Sequence, residues 1–145
     1  MKKQAAKKVN SDSTHQNQKV NGERSTVLLV EDDSVSAFLM EELLQNFHYN
    51  KYKIDYNHVI NGHEAIDFCK NNKVDLVLMD IKLGDSNGID ITRKIKKTKP
   101  HLAIVAQSAY CSDDIKKQAY EVGCDDYLTK PISLKEFETI LDKYL

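Results

Sequence analysis

The sequence contains neither a membrane span nor a secretory signal. Residues 1–22 are rich in Lys, Asn, Gln and Ser and hold no apolar core. No run in the 145 residues approaches the roughly 20 apolar residues that a spanning helix needs. These absences argue against membrane and secreted proteins, so we expect a cytoplasmic protein that makes no membrane contact.

Cysteine is also scarce. Cys69, Cys111 and Cys124 are odd in number and share no CxxC spacing, and the five histidines are scattered along the chain. This distribution argues against a disulfide framework and against a zinc site built from thiolates and imidazoles. We therefore predict unpaired structural thiols.

A strong charge of one sign is missing as well. The net charge is −1, but residues 1–24 carry six basic and two acidic side chains, or +4, which leaves −5 for the rest. An acidic body lacks the basic face that displaces counterions from phosphates, so we expect no direct nucleic-acid binding. Residues 1–24 have no aromatic side chain and no hydrophobic period, which predicts a disordered basic tail. The length predicts one domain over residues 25–145.

The sequence does contain a regular alternation of short apolar runs and amphipathic segments. The runs are Val27–Val30, Tyr52–Asn57, Val74–Met79, Leu102–Gln107 and Tyr127–Thr129. Each is followed by apolar residues at helical spacing. Nearly unbroken apolar strands joined by helices are typical of a parallel sheet that is covered on both faces. We predict an α/β fold: a doubly wound, five-stranded parallel sheet with five helices.

The first predicted helix, Ser34 to Phe47, is apolar over a wide arc, and Ser34 is expected to cap it. Two apolar rows run along it, at Val35, Leu39, Leu43 and Phe47 and at Ala37, Met40 and Leu44. We assign the first row to the core. The second row either broadens the core or forms an exposed edge against which a partner helix docks.

Four strands end in polar residues of different chemical kinds. These are Glu31 and Asp32, Asp80, Ser108 and Lys130. The carboxyl ends of parallel strands meet at one edge of the sheet, where doubly wound folds bind ligands. Carboxylates, a hydroxyl and an ammonium together suit a divalent cation and a phosphoryl group held on an aspartate. Taken singly, Asp32 or Asp33 could cap a helix, Asp80 could shape a turn, and Ser108 and Lys130 could be ordinary surface residues.

Four motifs, in order, resemble the receiver domains of two-component response regulators. They are Val30-Glu31-Asp32, Asp75 to Asp80 with Gly88 eight residues on, Gln107-Ser108-Ala109, and Asp125 to Ile132. The resemblance covers about residues 26–145 and implies the flavodoxin-like form of the predicted fold. The strings AQSA and DDYLTKPI look most like receivers attached to hybrid sensor kinases.

The resemblance implies a phospho-accepting site. Asp80 would be the nucleophile that takes a phosphoryl group from a phosphohistidine of a histidine kinase or a histidine phosphotransfer protein. The implied Mg²⁺ site consists of Asp32, which would bind the ion directly, Glu31, which would act through a water molecule or from behind the direct ligands, Asp80, and the backbone carbonyl of Lys82. Ser108 and Lys130 would contact the phosphoryl oxygens. Beyond this self-catalysed transfer and the loss of the phosphoryl group, no enzymatic activity is expected.

The resemblance also implies a switch. Ser108 and Tyr127 would move on phosphorylation and alter the surface of the fourth helix, fifth strand and fifth helix, which acts on a downstream protein in trans or in the same longer chain. The Lys130–Pro131 peptide bond is expected to be cis. Docking of the phosphate donor is implied at Asp33, Ser34, Ala37 and the Pro131 loop. A weak homodimer is left open.

Three other functions compete with this one. A phosphatase of the haloacid dehalogenase kind needs a second carboxylate two residues after its nucleophile, where this chain has Lys82. A nucleotide- or flavin-binding domain needs a glycine- or hydroxyl-rich loop after the first strand, where this chain has three acids. A receiver-like module that binds proteins without phosphate stays open.

Overall fold

Five strands form one parallel sheet in the computed structural model, which describes residues 22–50, 52–84, 86–110 and 112–145. The seven strands found in these ranges are β1 (Ser25–Val30), β2 (Ile54–Val59), β3 (Leu76–Asp80), β4 (Lys82–Leu83), β5 (Ser86–Asn87), β6 (Ala103–Ser108) and β7 (Asp126–Thr129). The main sheet has the order β2-β1-β3-β6-β7. Strand order therefore reverses beside β1, which places the expected ligand site at the carboxyl ends of β1 and β3.

Five helices connect the strands and cover the sheet. They are α1 (Ser34–Asn50), α2 (Gly62–Asn71), α3 (Gly88–Thr98), α4 (Asp113–Glu121) and α5 (Leu134–Tyr144). Four begin at a side chain that accepts a backbone N–H of the first turn, namely Asn61, Asn87, Ser112 and Ser133. The predicted five-stranded, doubly wound fold is confirmed.

The core has two layers, one on each face of the sheet. On one face, Leu28, Val77 and Ile104 pack with buried residues of α2, α3 and α4. On the other face, neighbouring strand residues such as Leu29 and Val105 pack with α1 and α5. Because side chains alternate between faces along each strand, nearly every residue of the central strands is apolar.

The predicted orientation of α1 is wrong. Val35 and Leu39 are 66% and 58% exposed, and Phe38 beside them is 59% exposed. The buried row is Ala37, Met40, Leu44 and Phe47. This row follows the 3.6-residue period more closely. The helix is apolar on so many sides, however, that the period alone does not predict which row faces the sheet. The exposed apolar edge is therefore formed by Val35, Phe38 and Leu39, and Ala37 belongs to the core.

A short antiparallel hairpin follows β3. β4 and β5 pair antiparallel through Lys82 with Asn87 and Leu83 with Ser86. Gly84 has φ +48°, a left-handed conformation that only glycine adopts readily. The hairpin leads directly into α3, so it forms one wall beside the end of β3.

Other predictions have mixed outcomes. Cys69 and Cys124 are unpaired and buried as predicted, and burial raises the pKa of each thiol to about 11. Cys111 lies outside the described residues.

Most of the predicted tail, residues 1–24, also lies outside the described residues. Arg24 is described, and it donates two hydrogen bonds to Asp55 of β2, at 2.5 and 2.6 Å. Among the described helices, none is both long enough and apolar enough to span a bilayer.

Candidate functional site

The polar strand ends meet in one cleft at the carboxyl edge of the sheet. The cleft has a volume of about 260 Å³ and is lined by Glu31, Asp32, Asp33, Ser36, Asp80, Lys82, Gly84, Ser108, Ala109, Tyr110 and Lys130. The predicted ligand and phosphoryl-binding side chains are all in this set. A larger groove of about 450 Å³ lies between α3 and α4, but it holds none of the predicted site residues. The chemistry therefore points to the smaller cleft.

Three carboxylates form a compact acidic cluster in the cleft. One oxygen from each of Glu31, Asp32 and Asp80 lies within 4.8 Å of the other two. Glu31 is fully buried, Asp80 is 6% exposed and Asp32 is exposed. Two such charges repel by about 4 kcal/mol at 4 Å in an effective dielectric near 20. Hard oxygen ligands at this density fit a divalent cation such as Mg²⁺.

Lys130 is the ammonium that faces this cluster. Its Nζ lies 2.5 Å from Glu31 Oε2 and 3.5 Å from Asp80 Oδ2. The Lys130–Pro131 peptide bond is cis, as predicted. One ammonium between two buried carboxylates leaves a net negative charge, which a bound cation would offset.

Asp80 is poorly compensated as an anion. Loss of hydration, with a hydrogen bond and charge repulsion from Glu31, raises the pKa of Asp80 to about 7. Lys130 and the backbone N–H of Lys82, which donates to Asp80 Oδ1 at 3.3 Å, act in the opposite direction. The charged form of the carboxyl group that the resemblance implies as nucleophile is therefore disfavoured without a cation.

This raised pKa predicts a pH-dependent stability in the absence of metal. From about pH 4 to pH 7 the folded state holds a proton on Asp80 that the unfolded state has released, so the free energy of unfolding falls as the pH rises. We expect Asp80→Asn to remove this slope and to be more stable than the wild type by about 1–3 kcal/mol at pH 8. The measurement is urea unfolding with a chelator at pH 5, 6.5 and 8.

Asp67→Asn, at an exposed position of α2, is the control and should keep the wild-type slope. Saturating Mg²⁺ should flatten the wild-type slope, because a bound cation favours the ionised carboxylate. Equal slopes for Asp80→Asn and the wild type would contradict the assigned pKa shift.

The loop after β6 connects two residues of the predicted switch. Ser108 is buried, and its hydroxyl oxygen accepts the N–H of Tyr110 at 3.0 Å. The Tyr127 hydroxyl donates to the carbonyl of the same Tyr110 at 2.8 Å. Lys82 lies 5.7 Å from the Tyr110 ring centroid and Lys116 5.5 Å from that of Tyr127, both within cation–π range. A displacement of Ser108 would therefore disturb Tyr110 and, through it, the hydrogen bond made by the Tyr127 hydroxyl.

The three acidic residues after β1 make different contacts. Asp33 accepts the N–H of Ser36 at 2.8 Å, so Asp33, and not Ser34, caps α1. The Ser36 N–H also holds the pKa of Asp33 below its usual value. The Asp33 N–H in turn donates to Glu31 Oε1 at 3.1 Å. Asp32 stays in the acidic cluster.

The sequence interpretation assigned no role to His58, and it used Gln107 only as part of the Gln107-Ser108-Ala109 motif. His58 Nε2 lies 2.7 Å from the carbonyl oxygen of Glu31, and its Nδ1 lies 3.5 Å from Glu41 on α1. His58 is the last residue but one of β2, close to the edge of the sheet at which the other site residues lie. Gln107 directly precedes Ser108 in β6, where an apolar residue is expected.

Comparison with known proteins tests the predicted family. The sequence model of the response regulator receiver domain matches residues 27–142. The chain belongs to the response regulator receiver domain family. The match covers all four strand ends that form the cleft.

Similar proteins include chains of about the same length as the matched region and longer chains. The cell cycle transcriptional regulator CtrA of Caulobacter vibrioides is 36% identical over 110 residues, which are 76% of this chain and 46% of CtrA. The polar-differentiation response regulator DivK of Brucella anthropi is 29% identical over 122 residues, 83% of this chain and 95% of DivK. The receiver domain thus spans about half of CtrA and nearly all of DivK.

A solved structure of similar fold is the receiver domain of sensor histidine kinase PA1611 from Pseudomonas aeruginosa. It has a TM-score of 0.74 and 26% identity, and the match covers 84% of this chain and 98% of that one. That structure has a magnesium ion coordinated in its active site cleft. Receiver domains are signalling modules, and the present chain has the acidic cluster expected of one.

Proposed function

We propose that this receiver domain accepts a phosphoryl group on Asp80 from a phosphohistidine, in a reaction that depends on Mg²⁺. The observation that supports this most directly is the position of Asp80. Its carboxylate lies in the cleft with Glu31 and Asp32 on one side and the Lys130 ammonium 3.5 Å away. This is a nucleophile that faces both a cation site and a countercharge.

In the proposed step, an oxygen of the Asp80 carboxylate attacks the phosphorus of a phosphohistidine. The new bond is the O–P bond of an aspartyl phosphate, and the bond that breaks is the N–P bond to the imidazole. The imidazole nitrogen keeps the bonding electron pair and is free to take a proton. Lys130 would neutralise one phosphoryl oxygen, and the Ser108 hydroxyl would donate a hydrogen bond to another.

Glu31, Asp32, Asp80 and the backbone carbonyl of Lys82 are the groups proposed to hold Mg²⁺. When bound, the ion would offset the repulsion among the carboxylates and take up negative charge on the transferring oxygens. The remaining contribution of the protein is to hold the nucleophile and the countercharges in place.

The switch is proposed to pass through the loop after β6. When Ser108 turns toward the phosphoryl group, it gives up the bond that it accepts from Tyr110. The Tyr127 hydroxyl is bonded to the same residue, so the surface of α4, β7 and α5 changes with it. Moving such an equilibrium from 1:99 to 99:1 needs about 5.5 kcal/mol, which a few charge-assisted hydrogen bonds could supply. The partner of this surface is proposed to be a downstream protein.

The direct test is intact-mass measurement after incubation with a small phosphodonor such as acetyl phosphate. The wild type should gain the mass of one phosphoryl group with Mg²⁺ and none with a chelator. Asp80→Asn should gain none under either condition, because an amide is not a nucleophile toward phosphorus. Absence of phosphorylation in a folded, Mg²⁺-binding wild type would favour the phosphate-independent binding module.

The exposed edge of α1 predicts where the phosphate donor docks. Val35, Phe38 and Leu39 follow directly on the acidic loop, and an exposed apolar row of this kind fits the helix pair of a phosphotransfer protein. We expect Phe38→Glu to slow transfer from a phosphorylated phosphotransfer protein at least about tenfold. Transfer from acetyl phosphate should stay unchanged, because that donor needs no docking surface.

Tyr120→Glu is the matched control, since Tyr120 is an exposed aromatic on α4, away from this edge. It should leave transfer from both donors unchanged. If Phe38→Glu accepted phosphate from the protein donor as fast as the wild type, the edge of α1 would not be the docking surface. Ala37→Glu cannot replace this test, because Ala37 is buried.

A further inference from the structure

Gln107 is a buried polar side chain that lacks a partner. It is 0% exposed, and neither Oε1 nor Nε2 has a hydrogen-bond partner within the described part of the chain. Buried polar groups nearly always have one, because leaving them unsatisfied costs more free energy than an ordinary hydrogen bond contributes. An apolar side chain would fit this position at lower cost.

Gln107 lies in the same row of the sheet as the acidic cluster. Its Cα is paired with Asp80 of β3 on one side and with Leu128 of β7 on the other. Glu31 comes one residue after Val30, which pairs with Met79, so Glu31 is level with Asp80. Paired residues of parallel strands point to the same face and are about 4.8 Å apart. Glu31, Asp80 and Gln107 therefore stand side by side on the face that α1 and α5 cover.

The Lys130 side chain reaches this row of residues from the edge of the sheet that β7 forms. It follows β7, yet its Nζ contacts Glu31 and Asp80 at the ends of β1 and β3. β6 lies between β7 and β3, so the Lys130 side chain has to cross the strand that carries Gln107. An ammonium has three donors. One of them bonds to Glu31 Oε2, while Asp80 Oδ2, at 3.5 Å, makes an ion-pair contact.

We propose that Gln107 is a positioning residue for phosphotransfer, an inference that rests on the proposed function. A carboxamide has a donor and an acceptor, so after a rotamer change Nε2 can donate to Asp80 and Oε1 can accept from Lys130. These bonds hold the carboxylate and the ammonium in place as Lys130 turns from Glu31 to the incoming phosphoryl group. Before the reaction Lys130 is bonded to Glu31, so the amide gains both partners only once Lys130 has turned.

Gln107→Met distinguishes this role from a purely structural one, because it keeps the side-chain length and removes both polar atoms. We expect the melting temperature without metal to rise by about 2–4 °C, since the unsatisfied amide is gone. We expect the rate of phosphorylation by acetyl phosphate in saturating Mg²⁺ to fall about tenfold to a hundredfold, the usual effect of losing a hydrogen bond to a charged group. The Mg²⁺ concentration that gives half the thermal shift should stay the same, because Gln107 is not a ligand.

Leu128→Met is the matched control. Leu128 is the other neighbour of Gln107 in the row, and the substitution changes shape without changing polarity. It should leave the phosphorylation rate within about twofold of the wild type, as expected for a volume-conserving exchange.

A wild-type rate in Gln107→Met would overturn the inference, whatever the melting temperature does. If that variant does not fold, Gln107→Leu takes its place, and a wild-type rate there has the same meaning. A wild type that never gains phosphate is a different result, since it removes the proposed function rather than the role of Gln107.

Discussion

Lys130→Met should destabilise the metal-free protein by about 3–5 kcal/mol at pH 7.5. The substitution removes the ammonium that lies 2.5 Å from Glu31, a fully buried carboxylate, and leaves that charge unpaired in the interior. The measurement is urea unfolding with a chelator. Saturating Mg²⁺ should restore part of the loss, because a cation in the acidic cluster supplies the missing countercharge. Phosphorylation should also be lost, since no ammonium then faces the phosphoryl oxygens.

Lys143→Met is the control for this prediction. Lys143 pairs with Asp126 at 2.8 Å, but more than half of its side chain is exposed, and such pairs contribute about 0–1 kcal/mol. The difference in lost stability between Lys130→Met and Lys143→Met therefore measures how much the burial of the ion pair contributes. If both variants lost the same small amount of stability, Lys130 would not be needed to stabilise the buried Glu31 carboxylate.

Gly88→Ala should impair both folding and phosphorylation. A Cβ on Gly88 would lie 2.1 Å from the carbonyl oxygen of Asp80 and 2.9 Å from its carbonyl carbon, and backbone atoms cannot move aside cheaply. The Gly88 N–H also donates to the Ile81 carbonyl at 2.7 Å, which docks the start of α3 against the end of β3. We expect a loss of about 1–3 kcal/mol from overpacking. The phosphorylation rate should fall about a hundredfold if the Asp80 backbone shifts by 1 Å.

Gly62→Ala provides the comparison. Its Cβ would also meet close neighbours, at 2.2 Å from Cδ1 and 2.5 Å from Cγ1 of Ile91, but these nearest atoms belong to a side chain and not to the backbone. We expect a smaller loss of stability and a wild-type phosphorylation rate, since Gly62 lies at the start of α2 and does not touch Asp80. A Gly88→Ala variant that is phosphorylated as fast as Gly62→Ala would show that the end of β3 tolerates the displacement.

The strands and the chemistry of the site could be predicted because both depend on local sequence. A buried parallel strand needs an apolar residue on each face, so its length and its end are visible in the sequence. The polar residue that ends each strand must then lie at the carboxyl edge, which was enough to bring Glu31, Asp32, Asp80, Ser108 and Lys130 together. The short β4–β5 hairpin was missed, because two-residue strands have no period to detect.

The orientation of α1 shows where local sequence is insufficient. Both of its apolar rows have helical spacing, so either could face the sheet. The choice depends on the direction in which the chain leaves β1 and on where α5 packs, which no window around α1 contains. Burial of Ala37 and exposure of Val35, Phe38 and Leu39 are the result.

By itself, the sequence determined the five strands of the main sheet along the chain and the kind of chemical group at the ends of four of them, because periodicity and chain order are local properties. The tertiary structure decided which of these groups are partners. Lys130 bonds to Glu31, 99 residues away, while the amide of Gln107 has no hydrogen-bond partner among the described residues although its Cα is paired with that of Asp80. Such relations depend on distances of a few ångströms between segments that are remote in sequence, and only the packed sheet sets those distances.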